Sequence, residues 1–378
     1  MSAPIDKTPI VDSKSYDDAP VLFETRATAS GHLIGIASLN RPRQLNALNL
    51  PMCALLLEQF SRWASDQRIV AVLLHGAGDK GFCAGGDVTE VARHILADGP
   101  ERFVYGDRFF AVEYQLDALI HAYPKPFVAY AHGVCMGGGL GLFAAASHRI
   151  ISDHARLAMP EIHIGLFPDV GAGYFLNRVP GNAGVLLAST GLIINEADAL
   201  FAGIADHFWP FEEHQKLFDG LVAIAWQAHA QLDRIALDIW LALGSRRYLR
   251  GLPVSNLRQY FDAIRYIASA PTAAALRDSV VAAAREDPWF QAPADNLIHG
   301  SPLSAALIVD FLRRTRKLSV NQVLALDLKV AKQCQRHHDF AEGVRALLID
   351  KDRKPAWSYT AIEDVPDSLV RAHFKDLN

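Results

Sequence analysis

The chain has 378 residues, of which 51% are hydrophobic and 21% charged. That is the balance of a globular protein with room for one large domain or two modest ones. A net charge of −4 and a pI near 6.4 exclude a broad nucleic-acid surface but leave space for a local basic site that grips the phosphates of a small anionic ligand.

In chain order, residues 1–19 read as a polar leader, whose "MSAPIDKTPIVDSKSYDD" holds four aspartates and no arginine. That composition is neither secretory nor mitochondrial. "HLIGIASLN" then reads as a strand and "LPMCALLLEQFSRWAS" as an amphipathic helix. "IVAVLLH" (69–75) is a buried strand. The glycine-dense "GAGDKGFCAGGD" leads into the helical "VTEVARHIL", and "RFVYGDRFFAVEYQLDALIHAY" is a long helix whose end is bracketed by Pro124 and Pro126. "FVAYAHG" is a further buried strand, running into "VCMGGGLGLFAAA", where glycines give way to a small-residue helix. "HRIISD" and "RLAMP" are short strands. This alternation predicts a layered α/β domain over 20–210, and the loss of strand signal beyond about residue 210 predicts a helical region over 211–378. No apolar run reaches the roughly 18 to 20 residues that cross a bilayer. Cys53, Cys83, Cys135 and Cys334 stand far apart without C-x-x-C spacing, so neither zinc nor a disulfide framework is expected and a reducing, cytoplasmic setting fits.

Two glycine clusters, "AGGD" (84–87) and "MGGG" (136–139), each lie between a strand and a helix. Helix starts expose unpaired N–H groups, and missing side chains let a substrate oxygen approach them, so two such donors would form an oxyanion hole. Tight helix-to-strand packing is the alternative reading. "MPEIHIGLFPDVG" sets Glu161 and Asp169 in an otherwise apolar, turn-rich stretch, where an uncompensated acid is costly unless it is used; here the alternative is a salt-bridged Glu161 and an Asp169 that caps the following helix. Glu113 falls on the apolar stripe of the long helix, with Phe109, Phe110 and Leu116 as neighbours, and either serves the site or pairs with a nearby arginine such as Arg108. "GAGDKG" matches a dinucleotide-binding pattern but opens no helix at once. "GFCAG" resembles a nucleophile elbow at Cys83, yet seven residues separate it from the strand end at His75. His132 and His163 in apolar contexts read as core histidines.

Taken together, "FCAGGDV", "HGVCMGGGLGL" and "MPEIHIGLFPDVGAGYFL", with the distal "SPLS", "HHDFAEGVRALLIDKDRKPAW" and "HFKDL", are similar to the crotonase (enoyl-CoA hydratase/isomerase) superfamily and, within it, to its 3-hydroxyisobutyryl-CoA hydrolase branch. The resemblance runs from about residue 20 to the end. It implies a β-β-α spiral core with a helical C-terminal region and an acyl-CoA substrate in a chain that takes no separate cofactor and no metal. It further implies an oxyanion hole from the amides of Gly86 and Gly138, Glu161 and Asp169 as catalytic acids, and Glu113 as a substrate contact. Arg353 and Lys354 in "DKDRKP", together with Lys125, are the candidates for CoA. A hydratase of this family carries a second glutamate two positions after its GGG; here that position is Gly141, which points to hydrolysis. His163 and Asp117 depart from the hydrolase pattern, where a small residue and an asparagine are usual, and so bear on the acyl group. A hydratase or isomerase, a non-catalytic CoA-binding protein and a Cys83-dependent hydrolase are the competing readings. A homo-oligomer is open, and neither a membrane nor a nucleic-acid partner is expected.

Overall fold

The computed structural model describes residues 19–377, so the proposed leader lies outside the described residues except for Ala19. The runs of Val, Ile, Leu and Ala read as buried strands become β2 (Leu33–Leu39), β3 (Ile69–Gly76) and β5 (Phe127–Ala131). β1 (Val21–Ala27) precedes them as a half-exposed antiparallel partner of β2. Between and after them lie β4 (Gly81–Cys83), β6 (Val134–Met136), β7 (His148–Ile151), β8 (Arg156–Ala158) and β9 (His207–Phe208). They form a six-stranded sheet in the order β1-β2-β3-β5-β7-β9 and a three-stranded sheet in the order β4-β6-β8. From β2 onward all pairings in both sheets are parallel.

Three successive turns of the chain each lay one strand in each sheet: β3 then β4, β5 then β6, β7 then β8. This is the expected β-β-α spiral. Helices α1 (Leu50–Ser65), α2 (Val88–Leu96), α3 (Val104–His121) and α4 (Gly138–Ala145) close it. α1 starts well because Asn49 accepts the Met52 N–H and Pro51 stands in the first turn, where its missing N–H costs nothing. Its Met52, Cys53, Leu56, Phe60 and Trp63 face the core, the period of an amphipathic helix.

The spiral also fixes register. Cys83 pairs with Cys135, and Met136 with Ala158, so the segments leaving β4, β6 and β8 emerge side by side. Those segments carry Gly86, Gly138 and Glu161. Beyond Phe208 the described residues contain helices and turns and no strand. This helical region packs into the same hydrophobic core, as Phe311, Val323, Val330 and Phe340 show.

Candidate active site

The loop after β4 is clamped in strand-like fashion by residues 45–48. Ala84 N donates to Leu45 O, Leu48 N to Gly85 O and Asp87 N to Leu48 O. Because successive backbone groups point to opposite sides, the intervening Gly86 N–H faces away from this clamp and meets no acceptor among the described residues. After β6 the ladder ends with Gly137 N donating to Ala158 O at 3.1 Å. Gly137 has φ +48° and ψ −127°, a conformation open essentially to glycine, and it turns the next amide inward. Gly138 is the first residue of α4, where the N–H has no intrahelical partner. A side-chain carbon on Gly138 would lie 3.3 Å from Gly86 N and would run into Glu113 Oε1. The two free amides therefore share one small space, and its glycines are required there.

Three acids close on that space. Glu113 comes from α3, Glu161 opens the turn after β8, and Asp169 lies eight residues on; they are 2%, 4% and 5% exposed. Glu113 Oε1 stands 3.5 Å from where a side-chain carbon on Gly86 would be, and Glu161 Oε1 3.0 Å from the corresponding point on Gly137. Glu113 Oε1 and Glu161 Oε2 have no hydrogen-bond partner among the described residues. Tyr114 donates its hydroxyl to Asp169 Oδ2 at 2.6 Å. No arginine, lysine or histidine pairs with any of the three among the described residues. Burial, reinforced by the charge of Asp169, holds the carboxyls of Glu113 and Glu161 well above the usual range. Burial raises Asp169 to about 6, with the Tyr114 hydroxyl pulling the other way.

Asp169 does not cap the next helix with its side chain. That helix, α5 (Ala172–Phe175), is preceded by Gly171 at φ +80° and has no side-chain cap. Val170 is also left-handed, at φ +48°, a strained state for a β-branched residue. Its side chain is packed onto Gly141, where an added Cβ would lie 2.5 Å from Val170 Cβ. A glutamate at 141 is therefore excluded while Val170 holds this place.

The distal motifs brace the Glu161 turn. Ser301 N donates to Ile162 O at 2.9 Å. Gly165, at φ +65°, lies against the backbone of Asp339 and Phe340. Asp339 in turn accepts from Ser301 Oγ and Ser358 N, at 2.7 and 2.8 Å. From the last helices, Asp327 accepts the Gly171 N–H at 2.8 Å. Sequence reasoning misses Tyr114, Asp327 and Asp339. Tyr114 adjoins Glu113. Asp327 sits on the buried stripe Val323, Leu324, Val330 and Ala331, the same signal of an acid on an apolar face that singles out Glu113.

Arg353 and Lys354 are exposed, on a loop following a helix (His338–Val344) that packs on α2. Lys125 must be corrected. Its Nζ donates to the carbonyls of Trp63 and Asp66 at 2.7 and 2.6 Å, tying off the end of α1. It precedes the start of β5, whereas the glycine loops leave the opposite ends of the strands, so it is a tether and does not face the acids. Cys83 is fully buried and burial pushes its thiol up to about 12, which argues against a thiolate nucleophile. Asp117 lies buried one turn beyond Glu113, bordering a small cavity with His121, Val170 and Gly171. His163 Nε2 lies near Gly191. His132 contacts Gly78 O at 3.0 Å and lines a cavity of about 410 Å³ with His75 and Phe211 on the sheet face away from the acids. No helix among the described residues is long and apolar enough to cross a membrane.

A spiral that presents two opposed amides and an acid from three consecutive turns defines the crotonase fold. The enoyl-CoA hydratase/isomerase family model matches residues 34–374, and the chain belongs to that family. It is 35% identical over 347 residues, 91% of this chain and 86% of the relative, to the mitochondrial 3-hydroxyisobutyryl-CoA hydrolase of Xenopus tropicalis, and 34% identical to the human protein of that name at the same coverage. Among solved structures it is similar to an enoyl-CoA hydratase from Rhodobacter sphaeroides, at 32% identity and TM-score 0.81 over 95% of this chain and 98% of that one.

Proposed function

We propose that the chain hydrolyses the thioester of a short branched 3-hydroxyacyl-CoA, with 3-hydroxyisobutyryl-CoA as substrate and 3-hydroxyisobutyrate and free CoA as products, the step required in valine breakdown. The observation that carries this reading is the exchange of acids. Val170 fills the space at Gly141 that a hydratase gives to its second glutamate, and Asp169 supplies a carboxylate beside Glu161 instead. This favours hydrolysis over the hydratase activity for which the Rhodobacter protein is named.

In this account the thioester oxygen sits between the amides of Gly86 and Gly138, which stabilise the charge that develops as the carbonyl carbon becomes tetrahedral, a contribution of about 3 to 4 kcal/mol per donor. Glu161 provides the reacting carboxylate. It attacks the carbonyl carbon to give a mixed anhydride that water then cleaves, or it takes a proton from the water that attacks directly. In the direct route the proton that Glu161 takes from water passes to the leaving thiolate as the C–S bond breaks; in the anhydride route the thiolate leaves as Glu161 attacks and takes its proton from solvent, and water then cleaves the anhydride to release the acid and restore the Glu161 carboxylate. Asp169, held by Tyr114, orients that water or the 3-hydroxyl, and Glu113 Oε1 is the remaining acceptor for the acyl group. The chemistry is acyl transfer to water, which these groups supply without a metal or redox cofactor. Arg353 and Lys354 grip the CoA phosphates. A cytoplasmic setting rests on the reduced, separated cysteines, while the vertebrate relatives carry "mitochondrial" in their names; cell fractionation decides it.

The test is a panel of short acyl-CoA thioesters assayed for free thiol. 3-Hydroxyisobutyryl-CoA should release thiol fastest, and crotonyl-CoA should show little hydration. Rapid hydration without thiol release would reverse the assignment.

A further inference from the structure

We infer that Asp327, on the helix Val320–Cys334, is a positioning residue for this hydrolysis. It holds the Val170–Gly171 turn in its left-handed form and so keeps the Asp169 carboxylate against Tyr114 and near Glu161. The inference rests on the hydrolase reading above.

Asp327 is fully buried in the middle of its helix, with no ion pair among the described residues. One oxygen accepts the Gly171 N–H at 2.8 Å, and the other has no partner among the described residues. The titratable groups around it are Asp169, Asp117 and Tyr114, none of them a cation. A helix interior gains nothing from such an acid, so its use must be sought in what it touches. What it touches is the turn that follows Asp169. Gly171 at φ +80° is at ease as a glycine, but Val170 at φ +48° is strained and persists only where its surroundings over-determine it. Locally, Ala172 N donates to Asp169 O at 2.7 Å, and Val170 packs on Gly141. The Gly171 N–H, by contrast, is satisfied from the distal helical region, by Asp327. Without that acceptor a buried amide is orphaned, and Val170 is released toward its ordinary conformations. Rotation there swings the residue on its N-terminal side, which is Asp169.

This role differs from packing in what it predicts. An asparagine at 327 keeps an acceptor oxygen for Gly171 and should preserve function; an alanine should not. In thiol-release assays with 3-hydroxyisobutyryl-CoA, D327A should lower kcat by about 10- to 100-fold, the scale of a small misplacement of a reacting group, with KM changed less than about threefold. Its acid limb should also move, because Asp169 loses its place beside Tyr114. D327N should stay within about threefold of wild type in kcat with an unmoved pH profile. G171A leaves Asp327 intact but strains a left-handed position that has room for the methyl group; it should show the same loss confined to kcat, and the D327A/G171A double variant should be no worse than the poorer single one. Should D327A fail to fold, D327N and G171A still decide the matter. The role is overturned if D327A keeps wild-type kcat, or if D327N falls as far as D327A with KM and melting temperature shifting together. A wild-type chain that releases no thiol overturns the hydrolase reading itself, and this role with it.

Discussion

Two groups of carboxylates in this molecule are handled in opposite ways. Near the C-terminus, Arg345 gathers Glu342, Asp350 and Asp352 at 2.8, 2.6 and 2.8 Å, and its guanidinium holds the carboxyls of Glu342 and Asp352 below the usual range. The same side chain reaches Lys354 O, so this compensated cluster shapes the loop that displays Arg353 and Lys354. Around the two glycine amides, Glu113, Asp117, Glu161, Asp169 and Asp327 are all buried, pair with no cation among the described residues, and are all pushed upward by burial. Acids that serve the fold are given partners; acids left without partners at a cost to stability are the ones a substrate would meet or that hold those in place.

The largest effect short of removing a reacting acid should come from G138A. Its methyl group would enter the space of Glu113 Oε1 and the neighbouring amide, and kcat for thiol release should fall by about 100-fold or more. Y114F removes the donor to Asp169, leaving a buried carboxylate oxygen bare. A hydrogen bond to a charged group is worth about 1.5 to 3 kcal/mol, so kcat should drop by about tenfold or more, and the acid limb should move above the value of about 6 set for Asp169. The pH dependences of activity and stability should then oppose each other. The folded-state pKa of Asp169 is raised, so its contribution to stability is present below the unfolded carboxylate pKa of about 4 and is lost as pH rises through about 6. Turnover, which on the proposed mechanism needs an ionised Glu161, should change in the opposite sense and keep rising through the upper part of this range, because burial and the charge of Asp169 hold the Glu161 carboxyl well above the usual range. Thermal melts and thiol release from about pH 4.5 to about 7.5, a window bracketing the two values, check this, and D169N should flatten the stability slope. The smallest effect on turnover belongs to the compensated cluster: R345A should lower the melting temperature and raise KM for acyl-CoA through a loosened 350–354 loop, with kcat unchanged.

Much of this contrast is legible in the residues alone. Long periodic segments such as α1 and α3 and the fully apolar strands β3 and β5 announce themselves, because packing and local preference agree there. β4 and β6, three residues each, are too short to show a period, and β1 alternates too weakly. Glu161, Asp169 and Glu113 stand out as acids in apolar company, and the glycine clusters as places where backbone is exposed. Lys125 misleads because a lysine near a motif in sequence says nothing about which end of a strand it occupies. The left-handed Val170 leaves no trace in the sequence, since what surrounds its turn, Gly141 and Asp327, comes from two separate segments.

The most direct measurement is a paired one on E161Q: thermal melting and thiol release from 3-hydroxyisobutyryl-CoA on the same preparation. Replacing an unpaired buried acid by a neutral amide should raise the melting temperature by about one to two degrees, the shift that about 1 kcal/mol produces in a chain of this size. Thiol release should fall by about 1,000-fold or more. An E161Q variant that releases thiol at the wild-type rate would contradict the account.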